Sequence, residues 1–290
     1  MAILLGLLVA VLIGAADFLG GLTSRRSSTG SVVFTSQGAS LVVAAVAVLA
    51  VAGPIAPAHD LLLGVGIGFA AITGISFLYR GLAGGRMSVV ASISAVGAAL
   101  IPAVWALVHG ERPGVLALVG ASVAVGAVVL VARPASIDTG AAERPMLRLR
   151  VELAYSVAAA VGFGIGTTLF AEVGEGGGPW TVLTARLITV PVACIVVVWA
   201  HHGPPLPGRL LPHRGDLALV IAAGCIEAVS NLVLVFAFSD HLTSVVAPVV
   251  AVYPAITVLL ARIVLGEHLG RVRTTGLALT LFGLVLIAAG

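Results

Sequence analysis

Three ionisable residues lie inside long apolar stretches, where charged side chains are otherwise absent: Asp17, Arg186 and Glu227. A charged side chain at the centre of a membrane-spanning helix costs about 2.5–3.5 kcal/mol on insertion scales, so it normally faces the bundle interior and finds a partner. One interpretation is a site for a solute or a proton. The structural alternative is that Arg186 pairs with Asp17 or Glu227 as a fixed ion pair.

Polar residues at helical spacing accompany Glu227. Ser230 and Asn231 follow it at i+3 and i+4, so a helix would place all three on one face. Because a carboxylate belongs to this stripe, we favour a face that lines a cavity. The alternative is that Ser230 and Asn231 form hydrogen bonds to a neighbouring helix and hold the two together.

Further polar and proline residues interrupt other apolar stretches. Proline frees a backbone carbonyl and can act as a hinge or as a plain kink. A tyrosine near a helix end can stack on a solute, although a place at the membrane interface is commoner. On these grounds we predict solute or coupling contacts for Thr73, Ser76, Tyr79, Ser92, Tyr253 and Thr257, and hinges at Pro102, Pro248 and Pro254.

The composition requires a membrane environment for the elements that carry these residues. The chain has 290 residues, of which 60% are hydrophobic and 9% charged, and its mean hydropathy is +1.18. Average soluble domains have about 25% charged residues. A water-soluble enzyme, a disordered chain and a secreted disulfide scaffold are therefore excluded, and a multi-pass membrane protein remains.

Ten apolar runs are long enough to cross a bilayer, which takes about 20 residues per helix. Their length and lack of alternation argue against barrel strands. The glycines at 64, 66 and 68 and at 162, 164 and 166 lie inside these runs and indicate close helix packing, not nucleotide binding. The predicted helices are 3–23, 31–52, 61–79, 87–108, 114–132, 152–172, 179–200, 217–238, 243–265 and 272–290.

An internal repeat relates the two halves of the chain. At a shift of 156 residues, 15 of 46 positions are identical between 88–133 and 244–289. The earlier helices align less well, at a shift near 148, which places Arg186 opposite Gly38. The repeat predicts a first five-helix unit at 1–133, a connection at 134–150 and a second unit at 151–290. Because five is odd, the second unit must be inverted, with a central cavity between the halves.

The distribution of arginine predicts an orientation. All 15 basic residues are arginine; twelve lie in the connections after odd-numbered helices and one, Arg112, after an even-numbered helix. Because basic residues are enriched in cytoplasmic loops, this bias places both chain ends outside. The net charge of +3 is not arranged as a nucleic-acid-binding surface.

The segment from Tyr79 to Ala91, followed by His109-Gly110-Glu111-Arg112-Pro113 and matched by Leu265-Gly266-Glu267-His268, resembles the EamA-type branch of the drug/metabolite transporter superfamily. The resemblance implies ten helices in two inverted halves, alternating access and a small organic cargo. It makes Glu111 and Glu267 a family-like pair, for which we expect a structural role. Many family members look to have both chain ends in the cytoplasm, whereas the arginine bias of this sequence places both ends outside.

We therefore expect a transporter of the plasma or inner membrane that acts on a small molecule and is not an enzyme. No P-loop, zinc-protease or serine-hydrolase motif is present, and we expect no catalytic residues, metal or cofactor. The alternatives are a membrane-embedded enzyme acting on lipid or peptide, and a scaffold that transports nothing. We expect a monomer in the lipid bilayer, with an oligomer left open, and no nucleic-acid partner.

Overall fold

The computed structural model describes residues 2–51, 53–108, 114–132, 147–174, 176–202, 211–239, 250, 253–266 and 270–289. This part of the chain is helical and contains no strand. Its ten helices are α1 (Ala2–Thr23), α2 (Thr29–Val51), α3 (Ala58–Gly84), α4 (Met87–Val108), α5 (Val115–Ala132), α6 (Leu149–Ala171), α7 (Gly178–His202), α8 (Leu217–Ser239), α9 (Tyr253–Leu265) and α10 (Arg271–Ala289).

Each of the ten predicted apolar runs corresponds to one of these helices. The largest difference is at α3, which continues five residues beyond the predicted end and stops where the Gly85 N–H bonds to the Gly81 carbonyl. Of the predicted run 243–265, the described helix covers Tyr253–Leu265. The start of that run lies outside the described residues.

Six of the described helices are long and apolar enough to cross a bilayer: α1, α2, α3, α6, α7 and α8. Shorter apolar stretches lie in α4, α9 and α10. Many large apolar side chains of these helices point outward, for example Leu49 on α2 and Leu62 on α3. An outer surface of this kind suits lipid and not water, so the predicted all-α, multi-pass membrane class is confirmed.

Glycines allow the helices to approach closely. Gly64 and Gly68 of α3 lie against the backbone of α7, at the carbonyls of Thr181 and Ala185, where any side chain would collide. Gly162 of α6 meets the backbone of α3 in the same way. The interpretation of these glycines as packing residues is confirmed.

Several helices of 2–132 pack on helices of 149–289, and most of these contacts recur with the two sets of helices interchanged. Helix α3 packs on α6 and α7, and α8 packs correspondingly on α1 and α2. Helix α4 packs on α6 as α9 packs on α1, and the two last helices, α5 and α10, pack on each other. These contacts of the helices in 2–132 with those in 149–289 thus follow a similar pattern in both directions.

Helices α2 and α7 lie antiparallel where the halves meet. The Trp180 indole N–H at the start of α7 donates to the Gly53 carbonyl just after α2, at 3.4 Å. At the other end, Gly30 near the start of α2 contacts Val197 near the end of α7. The middles of α2 and α7 consequently face each other inside the bundle.

Candidate functional site

Arg186 extends from α7 into this interface and is almost completely buried, with 4% of its side chain exposed. Its Nη1 donates to the Gln37 Oε1 at 2.8 Å. Its Nη2 forms an ion pair with the Glu227 Oε1 at 3.0 Å. Of the two ion-pair partners that the sequence offered for Arg186, the structure provides Glu227.

Gln37 completes a closed set of contacts among three helices. Its amide Nε2 donates to the second oxygen of Glu227, Oε2, at 2.8 Å, while its Oε1 accepts from Arg186. Each of the three side chains thus contacts the other two, and α2, α7 and α8 meet at one point. We call Gln37, Arg186 and Glu227 the central triad. Hydrogen bonds to charged groups in a low-dielectric interior are among the stronger ones.

Close backbone packing positions the triad. On α8, Gly224 presses against the Ser36 carbonyl of α2, one turn before Glu227. Ser36 directly precedes Gln37, so this contact places the amide and the carboxylate side by side. On the other side, the packing of Gly68 on Ala185 fixes α7 next to Arg186.

One hydrogen-bond donor of the triad is not used by the triad itself. Within the described residues the Nε of Arg186 has no hydrogen-bond partner. Asp17 lies on α1, which packs on α8, the helix that carries Glu227. Among the described residues no hydrogen bond or ion pair of the Asp17 side chain is seen.

Tyr79 of α3 lies inside the bundle, against α1. It is buried, with 1% exposed, because its ring packs directly on Gly20 of α1. Its hydroxyl is within electrostatic reach of Asp17, Arg186 and Glu227. Tyr79 is therefore packed between helices, because the glycine opposite leaves space for its ring inside the bundle.

Helix α9 adds Tyr253 and Thr257 on the side of α1. Tyr253 is within electrostatic reach of Asp17, and its carbonyl abuts Gly14. The Thr257 hydroxyl donates to the Gly14 carbonyl at 3.2 Å, so this buried hydroxyl joins two helices.

The other predicted contact residues are spread more widely. The Ser230 hydroxyl bonds back to the Glu227 carbonyl at 2.7 Å, and Asn231 is half-buried beside it. Ser92 is buried within α4. Thr73 lies on the exposed side of α3 and bonds to its own helix, at the carbonyl of Phe69.

A narrow cleft approaches the triad from the start of α2. It lies between α2, α3 and α7, and its volume of about 20 Å³ suffices for about one water molecule. Val33 on its wall precedes Gln37 by one helical turn. The lining residues are Thr29, Gly30, Val33, Ile72, Ser76, Arg80, Ala193 and Val196.

Several predicted positions are not part of this group. Pro254 is the second residue of α9, and Pro102 lies within α4. Pro248, Glu111 and Glu267 lie outside the described residues. Among the residues that are described, no three His, Cys, Asp or Glu side chains come together as a metal site would need.

The model of the EamA-like transporter family matches residues 151–289. These residues belong to the EamA-like transporter family. The family is part of the drug/metabolite transporter superfamily, so the resemblance seen in the sequence is confirmed. The matched EamA region carries Arg186 and Glu227, and Gln37 comes from the first half of the chain.

Comparison with solved structures supports the fold. One crystal structure, titled only "Crystal structure of protein", superimposes with a TM-score of 0.61 and covers 96% of this chain and 95% of its own, at 18% identity. At this identity the similarity concerns the fold alone. No curated protein sequence matches the chain.

Gln37 is the site residue that the sequence did not reveal. It is the ninth residue of α2, counted from Thr29, and Arg186 is the ninth residue of α7, counted from Gly178. The repeat alignment at a shift of 148 placed Arg186 opposite Gly38. A shift of 149 would have paired the two residues that hydrogen-bond in the structure.

Proposed function

We propose that the protein is a secondary transporter that carries a small organic solute across the plasma membrane by alternating access. The observation that carries this proposal is the central triad, a buried charged group between the two halves of a multi-pass membrane bundle that includes an EamA region. Ionisable residues inside membrane bundles mark solute and ion pathways.

Two inverted five-helix repeats are part of the proposal. The antiparallel contact of α2 with α7 and the exchange of neighbours between the halves support this arrangement. In inverted-repeat transporters the substrate site lies near the midplane, at the repeat interface. Gln37 and Arg186, the ninth residues of α2 and α7, form a hydrogen bond that would then lie at the repeat interface.

The Asp17 carboxylate and the Arg186 Nε indicate which chemical groups a solute would need to carry. Arg186 and Glu227 neutralise each other, and an ionised Asp17 leaves one negative charge in an apolar bundle. Such a charge is unfavourable unless it is neutralised. A proton or a cationic group of the solute would neutralise Asp17, and an acceptor on the solute would satisfy the Nε of Arg186. We infer that transport is coupled to protons or proceeds by exchange.

The alternatives are less well supported. A membrane-embedded enzyme commonly uses a Ser, Cys or Thr nucleophile next to a base, and Gln37, Arg186 and Glu227 offer no such nucleophile. A passive scaffold would gain nothing from an Arg, a Glu and an Asp placed in its interior.

A solute screen in proteoliposomes, with and without a pH gradient, tests the proposal. We expect uptake of at least one small polar organic solute. If protons are the coupling ion, Asp17→Asn should retain exchange of solute and lose its response to the gradient, because the amide cannot be ionised. Absence of flux for every solute class, with the protein shown to be folded and inserted, would contradict the transporter function.

A further inference from the structure

Two buried aspartates occupy equivalent positions in the two halves. Asp60 lies in the first turn of α3 and Asp216 directly precedes α8, 156 residues later, which is the shift of the internal repeat. Leu61 and Leu217 follow them in the same way. Their side chains are 5% exposed. Neither aspartate belongs to the central triad.

Asp60 holds the start of α7. Its Oδ1 accepts the backbone N–H of Gly174 at 3.3 Å, and its backbone carbonyl accepts the Thr181 hydroxyl at 3.3 Å. Gly177, the residue before α7, lies directly against its carboxylate and has no room for a side chain. A carboxylate next to a helix N-terminus is electrostatically favourable.

Asp216 holds the start of α2 in the corresponding manner. Its Oδ2 accepts the Ser27 hydroxyl at 3.3 Å, and Ser27 in turn accepts the backbone N–H of His213 at 2.9 Å. Arg26 lies 3.7 Å from the other oxygen, with its side chain 66% exposed. Each aspartate therefore secures the second helix of the opposite half.

The two contacts lie at opposite ends of the bundle. Asp216 is next to the beginning of α2, whereas Asp60 is on the side where α2 ends, because Trp180 at the start of α7 bonds to Gly53. The 23 residues of α2 separate the two ends by about 35 Å at 1.5 Å per residue. The secured helices, α2 and α7, are the ones that carry Gln37 and Arg186.

We propose that Asp60 and Asp216 are paired positioning residues that keep the two ends of the bundle closed, and that each end opens when its own aspartate releases the helix it holds. Both contacts are formed in this structure. The inference rests on the proposed alternating-access function. It predicts that loss of one aspartate opens one end and leaves the other closed.

Thiol labelling from each membrane face tests this directly. The two free cysteines, Cys194 and Cys225, are replaced by alanine. Single reporter cysteines are then placed at two buried residues of α2 on either side of Gln37, Val33 and Ser40. A membrane-impermeant maleimide is added to sealed vesicles of each orientation, and the labelling rate is measured without any solute.

We expect Asp60→Ala to raise labelling of the Ser40→Cys reporter about tenfold, a typical size for coupling between two states, and to leave Val33→Cys unchanged. Asp216→Ala should do the reverse, from the other face. Asp60→Asn retains an acceptor oxygen and should give a smaller increase. Arg262→Gln, at an exposed arginine of α9 with no contact to either aspartate, is the control and should leave both rates unchanged.

Two further variants retain both aspartates and test the same contacts in case the aspartate variants do not fold. Gly177→Ala displaces Asp60, and Ser27→Ala removes the hydroxyl that Asp216 accepts, so each should reproduce its aspartate variant. Equal changes at both reporters, or no change in a folded protein, would overturn the inference. If the labelling pattern is as expected but no solute is transported, the positioning role stands and the proposed cargo function fails.

Discussion

Two arginine–glutamate pairs within the described part of the chain have different surroundings. Arg86, just before α4, pairs with Glu152 in the first turn of α6, with Nη2 to Oε2 at 2.7 Å and Nε to Oε1 at 3.3 Å. The backbone N–H of Arg86 adds a third bond to Glu152 Oε1, at 2.6 Å. Arg186 divides its contacts between Glu227 and Gln37, and its Nε has no partner in the described structure.

From this difference we interpret the Arg86–Glu152 pair as structural and the Arg186–Glu227 pair as one that can change partners. Glu152 is held by one residue at the junction of two helix ends, so its contacts give no reason to change during transport. The central triad joins three helices at the interface of the two halves, and it keeps one donor open. We propose that an ion pair of this second kind exchanges a protein contact for a solute contact during transport.

The largest effect is expected from breaking the central triad. Arg186→Ala and Glu227→Gln should each lower solute flux at least about a hundredfold, because each removes a charged group that is proposed to contact the solute, and a lost contact worth about 3 kcal/mol lowers a rate about a hundredfold. Both variants should still insert into the membrane. Flux is measured in proteoliposomes, with Arg262→Ala, an exposed arginine near the end of α9, as the control that keeps its activity.

Breaking the other pair should change stability and not transport per molecule. Glu152→Gln should lower the free energy of unfolding by about 3 kcal/mol, because Arg86 loses its buried counter-charge. The measurement is the thermal transition of the purified protein in detergent. A normal transition temperature combined with complete loss of flux would show that the two pairs do not divide structure and function in this way.

Removing the bridge of the central triad should have the smallest of these effects. Gln37→Ala leaves both charges in place and removes hydrogen bonds worth about 1.5 kcal/mol, so flux should fall about tenfold. Ser40→Ala is the matched control: Ser40 lies one turn further along α2, is equally buried, and its hydroxyl has no partner among the described residues. It should transport at the normal rate.

The sequence predicted the helices well because apolar runs of about 20 residues have one stable arrangement in a bilayer. It also identified Asp17, Arg186 and Glu227 as interior residues, since charge in such a run is costly. It did not reveal Gln37, because an uncharged amide gives no comparable signal. The interior place of Tyr79 was missed as well, since it depends on Gly20 in a different helix.

The equivalence of Asp60 and Asp216 was present in the sequence but could not be interpreted there. Both residues stand at the beginning of an apolar run, where an exposed polar residue is ordinary. Their burial depends on connections of the opposite half, at Gly174 and Ser27. Contacts between distant segments of this kind need coordinates.

The flux per folded molecule of Glu227→Gln and of Glu152→Gln, measured side by side in proteoliposomes, tests the central claim most directly. We expect Glu227→Gln to be folded and inactive. We expect Glu152→Gln to give less folded protein, with each remaining molecule transporting at the normal rate. Normal flux in Glu227→Gln would contradict the assignment of the central triad as the solute site.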